Sequence, residues 1–271
     1  MMKEKQIRHT ISGKIILVMI VIAGSLLTSS CSLARNASPV PASCRQLVLV
    51  ITDSVQDTLG TLMCFEGENA TSTWTRAGDT IAVAIGRHGL GWGRGLHNDK
   101  DRADLPFKKE GDGKSPAGVF TLSAVFGYQP ADQMSTIAMP YIHVTDMTEC
   151  IDDPSSRYYN QFVSRDQIER MGQVDWQSSE KMSKAGIYYE LGVVVDHNTD
   201  PIKKGAGSCI FLHNWAHPNE KTAGCTAMSP QNMKKIVVWL DKSKHPVLVQ
   251  LPKRSYLDLK KPWHLPELSK K

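Results

Sequence analysis

Between Cys44 and Ser229 the sequence almost never repeats apolar residues at helical spacing. Short aliphatic or β-branched runs recur instead, at 47–51, 59–65, 81–85, 140–145, 192–195 and 209–212, with another at 247–251. Each stops at Gly, Pro or a charged turn, and apolar runs of that length bounded by breakers read as strands. Ser229 and Pro230 open the clearest helical pattern, in which Ile236, Val237 and Leu240 recur on one face, and 165–171 is a second, shorter helix candidate. The fold class that follows is mainly β, mostly antiparallel, with one or two helices. Residues 146–185 are long, polar and aromatic, and read as an insertion or capping segment within one domain. At 271 residues, 41% of them hydrophobic, the chain can fill one sizeable core.

The two ends read differently from the middle. Lys3, Lys5, Arg8 and Lys14 precede an apolar run at 15–27 followed by small residues, the pattern of a secretory signal over 1–30. Cys31 follows Leu27-Thr28-Ser29-Ser30, which resembles a bacterial lipoprotein processing site, so Cys31 is the expected lipidation point and 31–43 the tether. The folded domain is then expected over 44–251, and 252–271 is a basic, proline-punctuated tail packed through Trp263 and Leu265 or disordered at its end. The expected location is the periplasm. Ser32 stands where aspartate commonly retains lipoproteins at the inner membrane, which favours a lipid anchor in the outer membrane. The formal charge of +5 falls to +2 once the signal is removed, because the signal carries four of the 32 basic and one of the 27 acidic residues. With no basic, aromatic-interleaved patch, nucleic acid is not an expected partner.

Six cysteines in an exported chain imply disulfides. With Cys31 assigned to lipid and Cys225 kept as a candidate nucleophile, four remain. Cys44 and Cys64 flank two runs that a hairpin would bring together, which leaves Cys150 with Cys209; sequence alone does not fix the connectivity.

The chemistry concentrates in residues 207–228. An apolar run ends at His213, a polar loop follows at 214–222, and Thr222-Ala223-Gly224-Cys225 stands on a glycine-supported turn ahead of the helix. Free N–H groups and a helix dipole there would lower a thiol pKa, and a Cys-His pair is the minimum for thiolate acyl transfer. The local pattern leaves alternatives standing: Cys225 as a structural or bridged thiol, His213 as a core histidine, or zinc held by Cys209, His213, His217 and Cys225, whose spacing matches no usual finger. The run at 192–195 ends in Asp196-His197-Asn198, and pairing with the next strand would carry His197 towards His213. The glycine-dense stretch 86–102, with Trp92, Arg94 and His97, is either a turn-rich connection or a substrate-facing loop. No phosphate-loop spacing occurs in 108–122.

His213 with Thr222-Ala223-Gly224-Cys225 resembles the active-site signature of the L,D-transpeptidase catalytic domain (YkuD) family. The similarity extends to the segments 89–97, 110–120, 150–154 and 195–198, and so to about residues 45–251. The resemblance implies a β-sandwich or barrel-like domain. It implies that the Cys225 thiolate attacks the meso-diaminopimelate to D-Ala bond of a peptidoglycan stem peptide, with His213 as base. The main-chain carbonyl of Asn214 would orient the imidazole, and the N–H groups of Gly224 and Cys225 would hold the oxyanion. No cofactor or metal is implied, and the protein is expected to be a monomer. Where most members have histidine before Gly-Cys and arginine two residues after it, this sequence has Ala223 and Ala227. Trp92, Arg94, His197 and Trp215 are the expected substitutes for that recognition. Members with Gly-Cys-x-Ala-Met include enzymes that trim or hydrolyse stem peptides, so an L,D-carboxypeptidase is the near alternative and a non-catalytic cell-wall-binding lipoprotein the distant one.

Overall fold

The computed structural model describes residues 38–268. The expected signal, the Cys31 lipidation point and residues 32–37 of the tether lie outside the described residues. The first strands are β1 (Gln46–Thr52), β2 (Leu59–Glu66), β3 (Thr75–Ala84), β4 (Leu90–Trp92), β5 (Ser115–Gly127) and β6 (Tyr141–His143). The inserted segment contributes β7 (Thr148–Cys150), β8 (Phe162–Ser164), helix α1 (Arg165–Arg170) and β9 (Glu180–Lys181). After it come β10 (Leu191–Val195), β11 (Phe211–Asn214), β12 (Thr226–Met228), α2 (Pro230–Trp239), β13 (Val247–Pro252) and α3 (Lys253–Leu259).

Eight strands close on themselves in the order β10-β11-β12-β3-β2-β1-β13-β5, with β5 pairing back onto β10. Two of these junctions, β1 with β13 and β11 with β12, are parallel; the others are antiparallel. The closed ring leaves none of these eight strands with two open edges, which is how a barrel manages the edge-pairing hazard.

Alternation within β1 shows how the ring is filled. Val48 and Val50 face one cluster with Leu62, Val83, Phe120, Leu122, Val193, Leu212, Met228 and Leu248, which together draw on all eight strands and form the barrel interior. Met233, Ile236 and Val237 of α2 belong to the same cluster. The Ser229 hydroxyl caps α2 by accepting from the Asn232 N–H at 3.3 Å, and Pro230 occupies the first turn where its missing donor is harmless. Leu47, Leu49 and Ile51 point outward into a second cluster with Val249, Trp92, Tyr256, Trp263 and Leu265. Both faces of β1 are therefore buried, and all seven of its residues are.

The segment 252–268 is thus part of the packed domain: Trp263 and Leu265 cover the outer face of β1 and β13. The end of the expected tether joins it, since Val40 is buried in the same cluster and the Ser38 hydroxyl donates to the Trp263 carbonyl at 2.8 Å.

Cys44 and Cys64 are not bridged; both are free and buried. The β1–β2 register sets Cys64 opposite Val48, and Cys44 lies four residues back along the chain. Cys44 packs in the outer cluster and Cys64 in the barrel interior, so the sheet itself separates them. Burial pushes both thiols up to about 12. Cys150 and Cys209 are joined by a disulfide. That bond ties the small β8-β7-β9 sheet of the inserted segment to the chain two residues ahead of β11.

Candidate active site

β11 and β12 run parallel, with His213 opposite Ala227 and Leu212 opposite Thr226. Side chains two apart on a strand share a face. Phe211 and His213 on β11 therefore stand beside Ala227 of β12 and Cys225 of the turn just ahead of it, and His213, Cys225 and Ala227 line one cavity of about 580 Å³. The opposite wall comes from the inserted segment and the turn after it: Glu180, Lys184, Tyr188 and Tyr189. Trp215 and Glu220, from the loop after β11, complete it. The rings of Tyr188 and Tyr189 meet His213 edge-on, with centroids at 6.2 and 5.5 Å.

The cysteine turn is clamped by its own side chains. The Thr222 hydroxyl donates to the Cys225 carbonyl at 2.6 Å and accepts from the Gly224 N–H at 3.1 Å. The same carbonyl accepts from the Ser115 hydroxyl at 2.9 Å, and Ser115 in turn holds the Gly86 N–H. A hydroxyl three residues before the cysteine is required for this closure. The Gly224 N–H expected in the oxyanion hole is engaged by Thr222 instead.

The His213 Nδ1–H donates to the Asn214 carbonyl at 2.6 Å, which fixes the proton on Nδ1 and leaves Nε2 with its lone pair. Burial lowers the imidazole to about 4, against the opposing pull of the Asn214 carbonyl. The Cys225 thiol is raised well above its ordinary value by burial, and further by the Glu180 carboxylate. Its sulfur accepts from the Phe211 N–H at 3.3 Å and donates to the Cys209 carbonyl at 3.5 Å. The resting pair is therefore neutral thiol and neutral imidazole. The expected lowering of the thiol by a helix dipole is not found, because β12 and the cap residue Ser229 stand between Cys225 and α2. Desolvation decides the balance.

The L,D-transpeptidase catalytic domain (YkuD) family model matches residues 55–249, the span that carries this cavity, His213 and Cys225. The chain belongs to the L,D-transpeptidase catalytic domain family. No curated protein and no solved structure matches it.

Within this L,D-transpeptidase-family domain, the arginine expected two residues after the cysteine is replaced by a buried small residue, Ala227, on the cavity wall. Of the four residues expected to substitute for it, only Trp215 lines the cavity. His197 does not approach His213. β10 and β11 do pair, but Gly192 is the residue opposite His213, so His197 lies beyond the far end of β10. Its Nδ1 accepts from the Arg94 N–H at 3.2 Å, its Nε2 lies 3.0 Å from the Ala206 carbonyl, and burial lowers it to about 3. Trp92 is buried in the outer cluster, edge-on to His97 at 4.5 Å. Arg94 lines a separate cavity with Asp196 and Asn98. The glycine-dense stretch is packed because glycines admit close neighbours: a Cβ on Gly118 would meet the His97 ring at 1.9 Å, and one on Gly95 the Val119 carbonyl at 2.2 Å.

Glu180, Tyr188, Tyr189 and Glu220 are cavity residues that the sequence reading passed over. Their chain neighbours show no pattern that marks them. Glu180, Tyr188 and Tyr189 reach the cysteine through the fold of the inserted segment and its following turn over β11, and Glu220 through the loop after β11.

Proposed function

We propose that the protein is an exported, cysteine-dependent peptidoglycan stem-peptide acyltransferase of the L,D-transpeptidase type. Its target is the meso-diaminopimelate to D-Ala bond, and it proceeds through a thioester on Cys225. The observation that supports this best is the shared cavity of Cys225 and a His213 whose free nitrogen is fixed as Nε2. In this reading Nε2 takes the thiol proton as sulfur attacks the carbonyl carbon, then delivers it to the departing D-alanine amine. Because the resting pair is neutral, proton transfer accompanies attack. An incoming amine or water then resolves the thioester.

Resolution by water is the second reading, and the small residue at Ala227 favours it: without a cation there, the cavity lacks the bidentate partner that an arginine would offer a substrate carboxylate. Purified protein incubated with disaccharide tetrapeptide separates the two. Crosslinked dimers indicate transfer and tripeptides indicate hydrolysis. Neither product beyond a Cys225→Ala control would refute the enzymatic reading and leave a wall-binding role.

The proposal includes a lipid anchor at Cys31, a periplasmic location at the outer membrane, and a monomer acting on stem peptides. Loss of membrane-fraction partitioning in a Cys31→Ser variant is the expected result; unchanged partitioning would remove the anchor from the proposal.

A further inference from the structure

Glu180 is half-buried in the wall of the cavity that holds Cys225 and His213. Its carboxylate accepts a hydrogen bond from Tyr189, whose ring lies against His213. The charges that reach it are acidic, from Asp152 and Glu110. Those two are held by hydroxyls: Ser178 donates to Asp152, and Tyr159 and Ser208 donate to Glu110. The cations nearby are engaged elsewhere or stand apart. Lys184 pairs with Asp146 at 3.3 Å and Lys108 with Asp112 at 2.7 Å, while Lys181 and Lys221 are exposed on the cavity rim. Among the described residues, no cationic side chain pairs with Glu180.

Such a carboxylate works against the nucleophile beside it. Its negative charge opposes thiolate formation, and it is one of the causes that raise Cys225. Burial and its acidic neighbours also hold its own proton, raising it to about 7. A cation entering the cavity would relieve both penalties at once.

We propose that Glu180 is the subsite for a cationic amine, receiving the free side-chain ammonium of the substrate residue whose carbonyl Cys225 attacks. Tyr189 aligns the carboxylate for that contact. The inference rests on the stem-peptide reading and deepens it, since it makes the diamino residue a requirement of the cavity. Occupation of the subsite cancels the opposing charge, so an amine-bearing substrate is favoured in binding and again when the thiol ionises.

Two stem tetrapeptides serve as probes, alike except that one has hydrogen in place of the third residue's side-chain amine. Calorimetric titration into the full-length Cys225→Ala protein is expected to give about tenfold tighter binding of the amine-bearing peptide. Adding Glu180→Gln should remove that preference while the weaker peptide binds as before. In the protein with Cys225 intact, Glu180→Gln should also shift the pH profile of Cys225 alkylation by iodoacetamide towards lower pH. Equal binding of the two peptides by the first protein overturns the inference without any reliance on a second variant, and so does a preference that survives Glu180→Gln. Either result leaves the stem-peptide reading intact. Failure to bind either peptide, with no turnover by the wild-type protein, overturns that reading and the inference with it.

Discussion

At the residue scale, Thr222 holds the cysteine turn from the cavity wall, while His197 is buried away from that cavity and bears on the stability of the fold. Thr222→Val removes two hydrogen bonds from the cysteine turn, at 2.6 and 3.1 Å. The expected result is a stability loss of about 1–2 kcal/mol, with a fall in kcat and little change in KM, measured by steady-state turnover and denaturant unfolding. A raised KM with unchanged kcat would deny Thr222 its role in the turn. His197 makes a pH-dependent prediction. Its folded-state value is about 3 against an ordinary 6.5, so as pH falls below 6.5 the unfolded chain takes up a proton that the folded protein refuses. Its contribution to stability is complete above 6.5 and is lost as pH falls towards 3. His197→Gln should be less stable by about 1–3 kcal/mol near neutral pH. The gap should narrow by about 1.4 kcal/mol per pH unit in acid. A gap that stays constant down to about pH 4 in urea titrations would contradict a neutral, buried imidazole.

At the scale of elements, the inserted segment shapes the cavity, and the Cys150–Cys209 bridge fastens it beside the strand that carries His213. Replacing both cysteines by serine should lower stability by about 2–4 kcal/mol, and a larger rise in KM than fall in kcat is the expected kinetic result, because one wall loosens while His213 stays on β11 and Cys225 on its clamped turn. Thiol titration of the denatured, unreduced protein should find Cys44, Cys64 and Cys225 from the described residues; a fourth thiol from this region would mean the bridge is absent. The strands and α2 were legible wherever an apolar run met a breaker, as at 47–51 and 247–251, because local pattern and burial agree there. β3 begins at Thr75, ahead of the apolar run at 81–85, because β2 and β3 absorb the Gly78 kink in a register shift between Leu62 and Cys64. Cys209 lies outside β11 at φ 52°, where the bridge and the turn before the strand hold it. His213 and Cys225 were legible through their motif. Glu180 and Tyr189 were not, because nothing local relates a two-residue strand to a cysteine 45 positions away.

At the scale of the whole molecule, the closed barrel depends on its last residues. Trp263 is 2% exposed and lies over the outer face of β1 and β13. Trp263→Ala should destabilise the fold by about 3–5 kcal/mol, and a thermal midpoint equal to that of the parent would show the tail to be dispensable. The ring also joins its earliest strand to its latest: Leu47 stands beside Val247 in a parallel ladder. A chain emerging from its amino end has no permanent neighbour for that flank of β1 until nearly all of the polypeptide has followed. Contacts so distant along the chain predict slow collapse to the native state, and for most of its emergence the nascent protein exposes a greasy, unpaired ribbon that calls for an escort.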